Sequence, residues 1–578
     1  MIMELELSKN GEKVEGESSE GFIFKGPTES SLKDLSVGKL LDTQSKQNPD
    51  KVAVVSRWQG MSLTYEALHS SSREIAQRLL AHGVRPKDRV VVMAGNAIEY
   101  TQLFFAVGGI GAVFAIVNPT FTQDEALAAV EFLNPSAVFV ADKIGYRKNA
   151  TLLKQLAKHP EYSPLVVQLG TTEKVCENIL TWSEFSQGEL NASASDLLAQ
   201  CWAVGTSSDI LCIQFTSGTT GPRKAAMVSH GNLLNNAFLV GERLEIIASD
   251  VICGCAPLFH CFGLVCGLLL TLMYGSTIVL PSDVFLADAT LDALSENKCT
   301  VIHAVSSMLQ AILDLPNMKS QASKVSLRTG IIAGSSFSKS LLVQLGANFG
   351  LKDLAYGYGM TELSCIAFLT TPSKVSLLDN NTSVGTIMSH AYAKVVDSNL
   401  STLPPGSSGE LLVSGISVFQ GYYKNPDKTN EAIIKDSQGR EWLRTGDLVT
   451  IDTLGRCTII GRVKDMIKRG GENIFPSDIE QVLESHPGIR AAAVVGVQDP
   501  YWGEIVGAFV QRNQGFEIDE KGLKSWLRTR IAPHKVPEHY FWIGEGPGLP
   551  DSLPVNATGK IEKVKLRDIA NSLVTVRA

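Results

Sequence analysis

From Val52 onward the chain alternates short runs of branched apolar residues with stretches whose apolar positions recur at helical spacing. Residues 52–56 read as a strand. Leu68, Ile75, Leu79 and Leu80 then fall on one face of a helix that Gly83 stops. Residues 89–93 and 113–117 read as strands around a helix at 97–108. Thr122-Gln123-Asp124-Glu125 has the Thr-x-x-Glu form of a capping box that opens another helix, and 136–141 closes the series as a strand. Strands that alternate with helices predict a mainly parallel sheet, with ligands at the C-terminal ends of its strands.

Residues 143–200 are more polar and irregular. A second alternating unit follows, with strands predicted at 210–215, 251–256, 277–280, 301–304 and 327–332. From 385 to 460 the pattern turns β-rich and punctuated by glycine, clearest at 409–415. A break in character at 461–465 precedes a compact last segment with helices at 476–485 and 520–531 and strands at 491–497 and 505–511. The fold class expected is α/β. A large N-terminal domain, 1–463, comprises α/β subdomains at about 32–200 and 201–384 and a β-barrel-like subdomain at 385–463; a small α+β domain occupies 464–578. At 578 residues the chain has material for about three to four such units.

Composition narrows the function. A net charge of −7 with both signs interspersed argues against nucleic acid and anionic membrane as partners. The most apolar stretches, 103–117 and 261–280, are broken by glycine and fall short of the ~20 residues of a membrane span. The ten cysteines are scattered without a Cys-x-x-Cys, as suits reduced thiols. Residues 1–31 are polar, acid-rich and poor in arginine, unlike a secretory or transit leader, and Val576-Arg577-Ala578 is not a peroxisomal tripeptide. The expected setting is cytoplasmic.

Four segments carry candidate chemistry. Thr216-Ser217-Gly218-Thr219-Thr220-Gly221-Pro222-Arg223-Lys224 follows a predicted strand, and its hydroxyls, glycines and cations suit a grip on phosphate oxygens. Its spacing is not that of a Walker A loop. Tyr356-Gly357-Tyr358-Gly359-Met360-Thr361-Glu362 offers an aromatic face for adenine and a carboxylate for a magnesium ion, although alone it also reads as a glycine-rich strand end. Thr445-Gly446-Asp447 sets a carboxylate after a tight turn, as ribose hydroxyls require, and taken singly is an ordinary turn. In Asn556-Ala557-Thr558-Gly559-Lys560 one lysine follows a glycine turn, where it could meet developing negative charge or simply be solvated.

In this order, and together with Pro257-Leu258-Phe259-His260-Cys261-Phe262-Gly263 and the run from Gly461 through Asp465 to Asn473, these segments resemble the adenylate-forming superfamily of acyl-CoA synthetases, 4-coumarate:CoA ligases, luciferases and adenylation domains. The resemblance extends from about residue 50 to 565. It implies two half-reactions: a carboxylate attacks the α-phosphate of MgATP to leave an acyl-adenylate, and the coenzyme A thiolate then attacks that anhydride. By family position Thr216, Ser217, Gly218, Thr219, Thr220, Gly221 and Lys224 hold the β- and γ-phosphates. Thr361 touches phosphate, Glu362 binds magnesium, and Tyr358 and Gly359 lie against adenine. Asp447 and Arg462 bind the ribose, and Lys560 reaches the substrate carboxylate and the α-phosphate. His260 gates the acid site, a satisfied core histidine being the alternative. Lys464 is the hinge of a mobile C-terminal domain, whose rotation brings Lys468, Arg469, Gly470 and Gly471 to the thioester-forming face.

The same resemblance puts Phe262, Ala304, Val305, Gly334, Gly359 and Met360 around the acyl chain, an uncharged set that favours a medium-chain fatty or aryl acid. Two features depart from the family pattern. Phe337 stands where proline is usual, and 544–552 lengthen the loop before Lys560. The rival readings are an acyl-AMP ligase that loads a carrier protein and a catalytically silent nucleotide or acyl sensor.

Overall fold

The computed structural model describes residues 3–6, 22–159, 164–170, 173–188, 192–216, 224–334, 339–351, 353–371, 383–513, 515–555 and 561–577. The helical face of Leu68, Ile75, Leu79 and Leu80 lies on Tyr65–Ala81, and all four side chains are buried. The capping box forms at the start of Gln123–Leu133: the Glu125 N–H donates to Thr122 Oγ1 at 3.3 Å and the Thr122 N–H to Glu125 Oε2 at 2.7 Å. Such caps contribute about 1 kcal/mol each.

Two large sheets carry the α/β part. One has seven strands, in the order Leu180–Thr181, Leu165–Leu169, Ala137–Ala141, Arg89–Met93, Val113–Ile116, Ile210–Thr216 and Lys224–Ser229, parallel except for the final antiparallel pair. The other has nine, in the order Thr386–Ile387, Phe368–Leu369, Asp353–Tyr358, Thr329–Ala333, Val301–Ala304, Val251–Cys253, Thr277–Leu280, Val52–Ser56 and Met61–Thr64. The expected subdomains at 32–200 and 201–384 do not each own a sheet. Val52–Ser56 pairs in parallel with Thr277–Leu280, while Ile210–Thr216 and Lys224–Ser229 join the first sheet. A parallel strand is apolar on both faces, so its sequence specifies burial without specifying the neighbour.

A third sheet joins Ala391–Val396, Ser408–Gly415, Glu441–Ile451, Ile433–Lys435 and Cys457–Arg462, and Phe22–Lys25 from the acid-rich N-terminal stretch adds to its edge. The last sheet is built from Ile467–Arg469, Glu472–Ile474, Ile489–Asp499, Gly503–Arg512 and His539–Trp542. Pro476–Glu484 and Glu520–Arg528 bury Ile479, Leu483, Leu523 and Leu527 in one of its cores, and Lys563–Arg577 puts Leu566 and Ala570 in another. Ser477 Oγ donates to the Ile460 carbonyl, and Arg490 lies 3.8 Å from Asp314, contacts that join this unit to the larger body. Among the described residues no helix is long and apolar enough to cross a membrane.

His230 begins the helix His230–Arg243 inside the main body, where its Nδ1 accepts from the Val37 N–H at 3.0 Å. Burial pushes its pKa down to about 4. The folded protein therefore holds this ring neutral while the unfolded chain protonates it near pH 6.5, so the stability it supports is full above that pH and is lost as pH falls towards 4. His230→Gln, which keeps an acceptor for Val37, is expected to flatten the fall in urea midpoint between pH 6.5 and 4 by an amount equivalent to about 2–3 kcal/mol.

Candidate active site

The strand Asp353–Tyr358 ends in a turn that the chain can make only with glycine. A Cβ on Gly359 would lie 1.6 Å from the Cys365 carbonyl oxygen, so Gly359 lets 360–365 fold back against the strand. Ser364 and Cys365 pay out the bend at φ of 58° and 118°, which non-glycine residues rarely adopt. The turn is fastened from outside: Ser364 Oγ donates to the Ser417 carbonyl at 2.7 Å and the Phe419 N–H to the Glu362 carbonyl at 3.0 Å. Thr361 and Glu362 are thereby presented at a strand C-terminal end, where α/β sheets bind ligands.

Glu362 is only 6% exposed. The Tyr422 hydroxyl donates to its Oε1 at 2.8 Å, and the Lys224 ammonium stands 4.9 Å from the centre of the Tyr422 ring. Burial raises the carboxyl pKa above its ordinary value, against the opposing pull of the Tyr422 hydrogen bond, Lys224 and Arg462. A buried carboxylate with one side-chain donor suits a cation that brings its other ligands with it. Magnesium on a polyphosphate, which takes one or two protein carboxylates and keeps phosphate and water oxygens, fits this donor set. Lys224 itself is placed by a hairpin, since Thr216 and Lys224 are the last antiparallel partners and the Thr216 hydroxyl donates to the Lys224 carbonyl at 3.4 Å. Ser217, Gly218, Thr219, Thr220 and Gly221 lie outside the described residues, as do Phe337 and Lys560.

A second group forms where the nine-stranded sheet meets the β-rich one. The antiparallel register sets Asp447 opposite Arg462, and Arg462 Nε contacts Asp447 Oδ1 at 2.9 Å. The Tyr358 hydroxyl donates to Asp447 Oδ2 at 2.6 Å. Burial, then the Asp447 charge, pushes the Tyr358 phenol well up, and Asp447 raises the Arg462 guanidinium. Thr445 Oγ1 donates to the Leu411 carbonyl at 2.8 Å and accepts from the Asp447 N–H, which holds the carboxylate in place. Lys464 follows Arg462 by two residues; burial and the neighbouring guanidinium pull its ammonium below the ordinary lysine range.

On the third side, Asn96 shapes the segment before His260. Its Nδ2 donates to the Gly254 and Ala256 carbonyls and its Oδ1 accepts from the Leu258 N–H at 2.8 Å, which ends the expected strand 251–256 at Cys253. His260 Nδ1 accepts from the Phe262 N–H at 3.2 Å, and Phe262 starts a π-helical stretch, Phe262–Leu269. Phe262 is buried and Met360 packs against the same core. Ala304 and Val305 instead belong to the second core, with Leu309 and Ile332, so the Ala304 side chain does not share the face of Phe262. Gly334 is exposed at the end of Thr329–Ala333 with φ of 84°. The strand position that meets Phe262 is His303, 6.2 Å away ring to ring. Both its nitrogens are buried without a partner among the described residues, and burial drives its pKa down to about 3.

Tyr422 and His303 are site residues that sequence reading passed over. The visible signals were Gly421-Tyr422-Tyr423 and the lone polar ring within Val301–Ala304. Lys468, Arg469 and Gly470 make their contacts inside the C-terminal unit. The Lys468 N–H donates to Glu504, Arg469 to the His534 carbonyl and to Glu538, and the Gly470 N–H to the Trp502 carbonyl. Gly470 and Gly471 both have positive φ, and a Cβ on Gly470 would meet the Trp502 ring at 2.6 Å. Arg469, Gly470, Glu472, Trp502, Pro533 and His534 line a shallow pocket.

The family model for AMP-binding enzymes matches residues 41–423, and that for the C-terminal domain of AMP-binding enzymes matches 478–560. The chain belongs to the AMP-binding enzymes. Relatives of this AMP-binding enzyme include the acyl-CoA ligase sidI of Beauveria bassiana, 38% identical over 97% of this chain and 96% of that one. The medium-chain acyl-CoA ligase ACSF2, mitochondrial, of Danio rerio is 33% identical over 93% and 88%. Among solved structures, ATP-bound MatB from Rhodopseudomonas palustris superposes with a TM-score of 0.77 at 25% identity, covering 93% of this chain and 100% of that one.

In this AMP-binding enzyme Asp447→Asn removes the charge that Arg462 faces. The expected cost is about 1–2 kcal/mol in denaturant unfolding, below the 3–5 typical of breaking a fully buried pair, because the Arg462 side chain keeps 39% of its exposure.

Proposed function

We propose that the chain is an ATP-dependent carboxylic acid:CoA ligase that works through an acyl-adenylate. The observation that carries this reading is one electrostatic group. The Tyr358 hydroxyl and the Arg462 guanidinium meet on the Asp447 carboxylate, and the turn that follows Tyr358 carries Glu362, so a ribose acceptor, an aromatic face for adenine and a metal-binding carboxylate gather at one strand end. The acyl-CoA ligase names of the relatives support the same activity, and the ATP-bound neighbour supports the nucleotide.

In this reading Tyr358 and Gly359 pack on adenine while Asp447 and Arg462 take the ribose hydroxyls. Thr216, Thr361 and Lys224 face the polyphosphate with Ser217, Gly218, Thr219, Thr220 and Gly221. Glu362 would hold magnesium, which when bound offsets phosphate charge. The acid oxygen attacks the α-phosphorus, the bond to pyrophosphate breaks, and Lys560 meets the charge on both reactants. Two anions react here, so most of the acceleration comes from positioning and charge neutralisation. The coenzyme A thiolate then attacks the acyl carbonyl and AMP departs. For that step the unit beyond Lys464 turns, withdrawing Lys560 and bringing Lys468, Arg469, Gly470 and Gly471 to the crevice. The domain limits proposed are 1–463 and 464–578.

The acid proposed is a medium-chain fatty or aryl one, held against Phe262 and Met360 beyond His260, with the backbone at Gly334, Ala304 and Val305 closing the wall. The ACSF2 relative, named for medium-chain acids, supports the first class. All ten cysteines are free, which supports a reducing, cytoplasmic setting.

The half-reactions separate the roles. Lys560→Ala is expected to lower pyrophosphate release by at least a hundredfold yet leave thioester formation from pre-made acyl-adenylate within a few fold; equal loss in both contradicts the role. Lys464→Pro is expected to slow the second step more than the first, as the ratio of the two rates measured with free coenzyme A reports. A carrier protein loaded while coenzyme A is ignored would identify the acceptor as that carrier, and pyrophosphate release with no acid tried would leave a sensor.

A further inference from the structure

The strand Val301–Ala304 is apolar except at His303, and its neighbours fix where that ring points. Ile302 and Ala304 enter the second core, so by strand alternation His303 turns to the opposite face, where Val301, Ile331 and Phe262 pack. The residue is 2% exposed. His69 and His230 also have one ring nitrogen buried without a partner, but each uses the other, on Asp42 and on the Val37 N–H. Among the described residues His303 is the one histidine with both nitrogens buried and neither satisfied.

A buried polar group without a hydrogen bond is costly, and a leucine at this place would serve the core better. The surroundings put the ring on the acid side of the site. Phe262 stands 6.2 Å away, ring to ring, and its N–H donates to Nδ1 of His260, the residue read above as the gate of the acid site. The strand register sets Ile331 beside His303, and two residues further on, Ala333 leads to Gly334, which is exposed. Burial alone holds the imidazole neutral, so it offers one N–H donor and one bare acceptor. A second carboxylate or an ammonium group on the ligand would find no opposite charge on this ring. Of the uncharged groups, a hydroxyl both donates and accepts and so suits either nitrogen, whereas a methylene suits neither.

We propose that His303 selects an acid whose acyl part carries a hydroxyl group, which hydrogen-bonds the imidazole where an unsubstituted chain leaves it bare. This names the class of acid within the ligase reading above and rests on that reading. The unliganded protein already holds the unpaired nitrogens. A hydroxyl that reaches them replaces the hydrogen bond it gave up in water, and a methylene replaces nothing. Sites built to hydrogen-bond a hydroxyl discriminate against the analogue that lacks it more sharply than apolar pockets separate chain lengths.

The test measures kcat/KM from pyrophosphate release for hexanoate and for hexanoates hydroxylated singly at each carbon from the third to the sixth. Benzoate and its monohydroxy derivatives are run alongside, in the full-length enzyme and in His303→Leu, which is of similar size and has no polar atom in its side chain. One hydroxylated acid is expected to exceed its parent by at least about tenfold. In His303→Leu the order is expected to invert, the hydroxylated acid falling by at least about tenfold while the parent rises. A merely structural role would move both acids together. Loss of two unpaired buried nitrogens is expected to leave the urea midpoint of His303→Leu equal or higher, and His303→Asn, which keeps a donor and an acceptor, is expected to retain part of the preference. A parent acid used as well as every hydroxylated form, or a preference that survives His303→Leu, overturns the proposal. If no acid supports pyrophosphate release the ligase reading fails instead, and calorimetric binding of the same acids to both proteins still decides the preference.

Discussion

The Asp447 carboxylate, held between the Tyr358 hydroxyl and the Arg462 guanidinium, is the constraint on which the site depends. It ties the end of a parallel strand in the nine-stranded sheet to two antiparallel strands of the β-rich sheet. Burying one carboxylate is costly unless it is both paired and hydrogen-bonded, and here each oxygen has its own partner. The same guanidinium lies two residues from Lys464 and its field reaches Glu362.

The second constraint is steric. Gly359 sits where no Cβ fits, and the chain after it bends through two residues with positive φ before it is fastened to 417–419. Bent backbone of this kind persists only where surrounding structure holds it. The fastening also explains why Tyr422 reaches Glu362: the segment that anchors the turn continues into the tyrosine that hydrogen-bonds its carboxylate.

The family and the α/β class were legible in the residues because they are carried by local patterns. Apolar alternation, the capping box at Thr122 and glycine-flanked polar segments each act over a few positions. Pairings across the chain were not legible in the same way. Val52–Ser56 lies closer in sequence to Arg89–Met93 than to Thr277–Leu280, yet it joins the latter, because a strand apolar on both faces takes whichever neighbour the packed layers bring to it. Tyr422 and His303 escaped notice for a related reason. A tyrosine after glycine and a histidine in an apolar strand have no distinguishing neighbours until folding sets Glu362 beside one and Phe262 beside the other.

What the sequence determined by itself is the set of chemical groups, their order, and the strand and helix periods that carry them, since these depend on covalent neighbours and one-dimensional spacing. Tertiary structure alone decided which sheet each strand enters, which tyrosine serves Glu362, that Ala304 turns into the second core while His303 faces Phe262, and that Cys365 comes to lie against Cys266. Those outcomes come from packing and charge pairing between segments tens to hundreds of residues apart, and no local pattern encodes them.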